Sequence, residues 1–272
     1  MWEECLKAQT EWLAQSELET EQARTKFFKK QAVDVIWLTN KLEDTLPQGM
    51  DEHKSKEALS KEYDIDSSES CHQDDHLVGA GLCQLLQHLK AFQLLCGKQG
   101  GKPLPELSEV IIKKAHEIMM KGLRTEEGRM VNAGVYRKIS VHAGQHTYPS
   151  HKCIPENMEK IVKEHNHKVS QGHDMFELAS WLYFNVVSLH PFEDGNGRIS
   201  RLLWCYSLMR DGLPFPASLT SGHKRSQSHL VLCLQRDQKF NVSNHPHLTT
   251  LTVVSIHQVW QDYHSTSSFA HA

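Results

Sequence analysis

Residues 175–189, MFELASWLYFNVVSL, are apolar on almost every side of a helix, and this stretch constrains the fold more than any other. A helix with one apolar stripe can lie on a surface, whereas a helix apolar nearly all round must be surrounded by other elements. The chain supplies those elements. Apolar residues recur at helical spacing through 76–96, 107–123, 156–169, 199–212, 226–238 and 247–264, with Ser108 placed to cap the second of these. Only 133–155 reads as extended: Tyr136, Ile139 and Val141 favour strands, and Gly144, Pro149 and Pro155 punctuate them, which predicts one short hairpin. The expected class is all-α with a small hairpin.

Upstream, residues 1–46 carry a long helical pattern with Trp12, Leu13, Phe27, Phe28, Val33, Ile36, Trp37 and Leu38 on its apolar stripe, ended by Pro47 and Gly49. The next 27 residues, 49–75, are polar and Ser-rich. The division expected from this is a helical arm at 1–48, a polar linker at 49–75 that has room for a short helix, a core domain at 76–264 and a tail at 265–272. A net charge of −3, from 30 basic and 33 acidic residues, and the lack of a basic block with interleaved aromatics argue against nucleic acid as a partner. No window approaches 18 uninterrupted apolar residues and the charged N-terminus does not read as a signal peptide, so no membrane span is expected. Seven scattered cysteines without a C-x-x-C pair fit reduced thiols and a cytoplasmic or nuclear setting. The 19 histidines include a group at His142, His146 and His151 and a pair at His165 and His167. None has partners at zinc spacing, and they are read as solvated loop residues.

Directly after the buried segment come residues 190–201, HPFEDGNGRISR. The loop joins two helices, so its far end is a helix N-terminus, where unpaired backbone N–H groups and the positive end of the dipole favour an anion. Gly195 and Gly197 are expected to take positive φ and gather amides into a nest. Arg198 and Arg201, three apart, share a helix face, and two guanidiniums beside such a nest fit a polyphosphate. Polyphosphates travel with Mg²⁺, for which Asp194 is the candidate ligand. His190 is placed to accept a proton from an incoming hydroxyl, and Phe192 to anchor the loop in the core. Together these residues describe phosphoryl or nucleotidyl transfer. Taken singly, each has an ordinary explanation as a turn, loop or surface residue; their concentration in one loop between buried helices favours the functional one.

The loop resembles the signature of the Fic family, His-x-Phe-x-(Asp/Glu)-Gly-Asn-Gly-Arg-x-x-Arg, at every specified position. The similarity extends over roughly 30–262, where ELSEVIIKKAHEIMM, GVYRKISV, IPENMEKIVKEHN and RISRLLWCYSLMRDGLP follow the family's order. The resemblance implies a Fic-type helical domain that transfers AMP from ATP to a hydroxyl of a target protein, with Mg²⁺ as cofactor. It implies His190 as the base, Asp194 as the metal ligand, and Asn196 with the Gly195 and Gly197 amides on phosphate. Arg198 would meet the α/β-phosphates and Arg201 the γ-phosphate, and a flap of Gly144, His146, Thr147, Tyr148 and Pro149 would dock the target by strand addition.

The same resemblance gives TNKLED (39–44) a meaning, because family members often carry an inhibitory helix with the pattern (Ser/Thr)-x-x-x-Glu-(Gly/Asn). Thr39 and Glu43 match it, and Asp44 departs from it. A Glu43 carboxylate on Arg201 would take the guanidinium that a γ-phosphate needs. Trp204 and Cys205, and Ser228 and His229, also depart from the family and leave the choice of nucleotide open. Removal of AMP from a modified target, transfer from another diphosphate donor, and a non-catalytic nucleotide- or partner-binding module are the alternatives. The target protein is not legible, and a homodimer is left open.

Overall fold

The computed structural model describes residues 21–64, 80–97, 104–125, 128–143, 146–220, 224–240 and 245–267. Its central element is α6 (Met175–Leu189), buried from Phe176 through Tyr183 apart from one half-exposed residue, and again at Val186 and Leu189. Asp174 starts it: Oδ1 accepts hydrogen bonds from the Phe176 and Glu177 amides, both at 2.9 Å. Helix α7 (Asn196–Arg210) packs against it and is itself buried from Arg198 to Leu208. Around this pair lie α1 (Glu21–Leu42), α2 (Glu52–Asp64), α3 (Ala80–Cys96), α4 (Glu109–Met120), α5 (Ile154–Ser170), α8 (Lys224–Phe240) and α9 (Pro246–Ser267). Helices α5 and α9 cover α6, while α1, α3 and α4 contact α7. The fold is all-α, and the only strands among the described residues are β1 (His142–Ala143) and β2 (His146–Thr147). They form an antiparallel hairpin with His142 opposite Thr147.

Three polar side chains inside the bundle pair with one another, as burial favours. The Ser180 hydroxyl donates to the Phe176 carbonyl at 2.7 Å and shares a hydrogen bond with Thr252 at 2.8 Å, and Trp204 Nε1 donates to Thr252 at 3.0 Å. One buried cluster thus ties α6, α7 and α9. His165 departs from the expectation of solvated histidines: it is fully buried, with Nε2 2.9 Å from the Ser207 hydroxyl. Burial pushes its pKa down to about 4.

The expected arm and linker are walls of the bundle over the residues described. Helix α1 buries Phe28, Ala32, Val33, Val35, Ile36 and Trp37; Trp12 and Leu13 lie outside the described residues. In the segment read as a linker, α2 buries Ser55, Leu59 and Tyr63 at spacing i, i+4, i+8, a single face that the polar majority of the sequence obscures. Lys56 crosses to Asp34 of α1 at 2.6 Å. At the C-terminus helix α9 reaches Ser267, into the expected tail. Among the described residues no helix is long and apolar enough to cross a membrane. If 52–64 is structural, Leu59→Ala lowers stability by about 2–5 kcal/mol. Chemical denaturation checks this, and a change near zero would return the segment to linker status.

Candidate active site

The loop 190–195 takes its shape from groups on three sides. His190 ends α6 in the left-handed region (φ 54°, ψ 61°), its amide donating to the Val186 carbonyl at 3.0 Å. Its Nδ1 lies 3.2 Å from the Val187 carbonyl. A carbonyl only accepts, so the neutral ring carries its proton on Nδ1 and leaves a lone pair on Nε2, as a base requires. Phe192 is fully buried and stacks on His116 of α4, centroids 3.7 Å apart and rings 8° from parallel. His116 Nε2 donates to the Asp194 carbonyl at 2.9 Å, and its Nδ1 accepts the Gly134 amide at 2.9 Å. Both ring positions are thereby assigned to a neutral imidazole, and burial agrees by holding the pKa at about 4.

Two glycines serve different ends. Gly195 has φ +75°, and a Cβ there would stand 2.7 Å from Met120 Sδ and 3.3 Å from His116 Nε2. Gly197 is helical and not at positive φ, contrary to expectation. What it supplies is room: a Cβ would meet Glu43 Oε1 at 2.7 Å and Arg201 Nη1 at 3.2 Å. Asn196 also departs from its expected role. Its side chain is buried and closes the loop, donating to the Phe192 carbonyl and accepting the Phe192 amide, both at 2.9 Å. It is not available to a phosphate as a free amide.

What the loop leaves at the head of α7 is cationic. The Arg198 and Arg201 side chains are 6% and 7% exposed. Arg198 donates to Gln84 of α3 at 2.9 Å and lies 3.8 Å from Asp194 Oδ1. Arg201 is paired with Glu43, the first residue past α1. The Nε atoms of both arginines are buried with no acceptor among the described residues, and the first amides of α7 have no intrahelical partners. Buried donors in this number suit an anion. Asp194 is 45% exposed; its Oδ1 takes the Gly195 amide at 2.5 Å. Among the described residues no group of three or more metal-ligating side chains exists, so a cation here would be held by Asp194 with oxygens of a bound anion.

Glu43 is held in place. Thr39 is buried one turn before it, and Asn40 beside it donates to the Ile36 carbonyl and to His88 Nδ1 of α3, both at 2.8 Å. Asp44 has φ 53°, which explains why a Gly or Asn is favoured after the glutamate and why Asp, also tolerant of that region, fits. Burial pushes the Glu43 carboxyl up, but Arg201 and then Arg198 and His190 outweigh it and set it below the ordinary 4.5.

The hairpin and the residue after it lie against His190. Tyr148 stacks on His190 with centroids 3.7 Å apart and its amide donates to the Val141 carbonyl at 3.3 Å; Thr147 is hydrogen-bonded to His142 at 3.1 Å. His146 pairs with Ala143, and Gly144 lies outside the described residues. Beneath them Arg137, absent from the sequence reading, is buried and donates to four carbonyls. His116, Gln84 and Arg137 had no signal in the sequence because each acts through main chain or another side chain far away along the chain. Glu193, without an expected role, ties the loop to Asn132 at 2.9 Å. Trp204 and Cys205 face the core, while Ser228 and His229 are exposed on α8.

Residues 106–208 match the family model described as Fic/DOC family. A Fido domain-containing protein of Dictyostelium discoideum is 31% identical over 138 residues, half of this chain and 95% of that protein. Protein adenylyltransferase fic-1 of Caenorhabditis elegans is 37% identical over 84 residues, 31% of this chain but 16% of that protein. A uridine 5'-monophosphate transferase of Xanthomonas campestris pv. campestris is 32% identical over 120 residues, 36% of this chain and 22% of its own length. The matched part is thus less than a quarter of either transferase. In structure the fold is similar to a fragment of Fic-1 from C. elegans (TM-score 0.70, 18% identity, 97% of this chain and 72% of that one). It is also similar to a Fic domain containing signaling protein from Bacteroides thetaiotaomicron (TM-score 0.67, 20% identity, 97% and 92%).

The Glu43 pair makes a pH prediction. Its carboxyl titrates lower in the folded state than in the unfolded one. The stabilisation it gives is therefore complete above about pH 4.5 and fades as pH falls through the depressed value. The melting-temperature difference between wild type and Glu43→Gln should hold steady near neutrality and close below about pH 4.5. A difference unchanged into acid would mean that the pair carries no such stabilisation.

Proposed function

The chain belongs to the Fic/DOC family, and from that premise we propose that it is a protein adenylyltransferase held back by its own Glu43. The observation that carries the reading is the pairing of Arg201 with Glu43 at the head of α7, beside Arg198 and within one loop of His190. Relatives named adenylyltransferase and uridine monophosphate transferase support nucleotidyl transfer as the class of reaction.

In the proposed reaction ATP lies along the N-terminus of α7, with Arg198 and the first amides on its inner phosphates and Arg201 on the γ-phosphate. Mg²⁺, held by Asp194 and phosphate oxygens, would neutralise charge on the triphosphate. A hydroxyl of a protein docked on the flap is deprotonated by His190 Nε2. Its oxygen bonds to the α-phosphorus, the α–β P–O bond breaks and pyrophosphate leaves. Glu43 opposes this by occupying Arg201. A charge-assisted pair of about 1.5–3 kcal/mol slows productive binding about 10- to 150-fold, a brake rather than a block.

The test uses wild type, Glu43→Gly and His190→Ala with Mg²⁺ and ATP labelled at the α or the γ position. Label should pass to protein from the α position alone, faster with Glu43→Gly by about 10- to 150-fold and not at all with His190→Ala. Transfer of the γ label would replace the reading with kinase chemistry. ATP-dependent thermal stabilisation without transfer would favour a binding module.

A further inference from the structure

Among the described residues the Arg137 side chain pairs with no carboxylate, and it donates to four main-chain carbonyls. From Nε it donates to the His190 carbonyl at 2.7 Å, and from Nη2 to Leu189 at 3.3 Å and to Pro149 at 2.6 Å. Nη1 donates to Ile139 at 2.8 Å, and the Arg137 amide donates to the Pro191 carbonyl at 2.9 Å. The contacts fall into two sets. Leu189, His190 and Pro191 are the three consecutive residues that carry the base out of α6. Ile139 and Pro149 are the chain positions that enter and leave the hairpin.

We propose that Arg137 is a positioning residue that fixes the register between the flap and His190. A planar guanidinium with five donors in fixed directions can hold both sets at once, which no other side chain can do. Two consequences follow from the geometry. The carbonyl of His190 is satisfied in a left-handed conformation that a non-glycine residue seldom adopts, which keeps Nδ1 of the ring on the Val187 carbonyl of α6 and turns Nε2 away from that carbonyl. Pro149 is also fixed one residue beyond Tyr148, so the Tyr148 ring is kept on the imidazole at 3.7 Å. A segment docked along the hairpin therefore arrives at a set distance from Nε2. Arg137 touches no phosphate-binding group, so its loss leaves Arg198 and Arg201 as they are. The part of this inference that concerns transfer rests on the nucleotidyl reading; the clamp itself does not.

The clamp is read by proton NMR of the His190 ring, which the stacked Tyr148 ring displaces from its ordinary position; Tyr148→Leu supplies the undisplaced reference. Arg137→Met should shift the His190 signals to that reference while cooperative melting and stabilisation by Mg-ATP persist. Arg137→Lys, with one ammonium in place of the fork, should do the same in part and serves where Arg137→Met does not fold. If both variants keep the displaced signals, the clamp is refuted.

The consequence for transfer is read in the Glu43→Gly background, with α-labelled ATP and a His190→Ala copy of the chain as acceptor. A misplacement of about 1 Å costs on the order of 100-fold. Arg137→Met should lower kcat/KM for the acceptor by that order, with ATP affinity unchanged. Equal losses in ATP affinity and transfer would make Arg137 merely structural. If Glu43→Gly itself transfers no label, it is the nucleotidyl reading that fails, and the NMR comparison still decides the clamp.

Discussion

Two guanidiniums buried side by side at the head of one helix are the constraint on which this structure depends. Removing Arg198 and Arg201 from water costs several kcal/mol each, and their like charges repel, so the fold must supply negative charge or good acceptors around them. It does so from three places distant in sequence: Gln84 of α3, Asp194 of the loop and Glu43 at the end of α1. Of these, only Glu43 brings a full charge into contact with Arg201. The packing of α1 into the bundle is therefore part of the electrostatics of the site, and an anion that binds at α7 must contend with it.

The same economy of groups shapes the loop. Its main chain is held by His116, Asn196 and Arg137, all through backbone partners. None of the three needs to touch a substrate to matter. Around that main chain, His190 turns Nδ1 to the Val187 carbonyl, Asp194 is half-exposed, and the buried Nε atoms of the two arginines have no acceptor among the described residues.

Much of this was legible in the sequence. The all-round apolar 175–189 placed one helix at the centre, and HPFEDGNGRISR placed a loop and two arginines at the head of the next helix. Other features were hidden for physical reasons. The buried face of α2 is only three residues in thirteen, so composition read as a linker. Gly197 looks like a conformational glycine, but the reason for it, the space taken by Glu43 and Arg201, comes from a contact 154 residues away (197 less 43). Asn196 offers an amide that could serve a ligand or a loop, and only geometry separates the two. Arg137 carries no signal in a strand-like segment, because nothing local shows that its partners are carbonyls at 139, 149, 189 and 190.

The central claim is that Glu43 and an anionic ligand compete for one guanidinium. Calorimetric titration of Mg-ATP into wild type and Glu43→Gly measures that competition without reference to any acceptor protein. The account predicts a dissociation constant about 10- to 150-fold lower for the variant, the range set by a charge-assisted pair. Equal dissociation constants for the two proteins would contradict it.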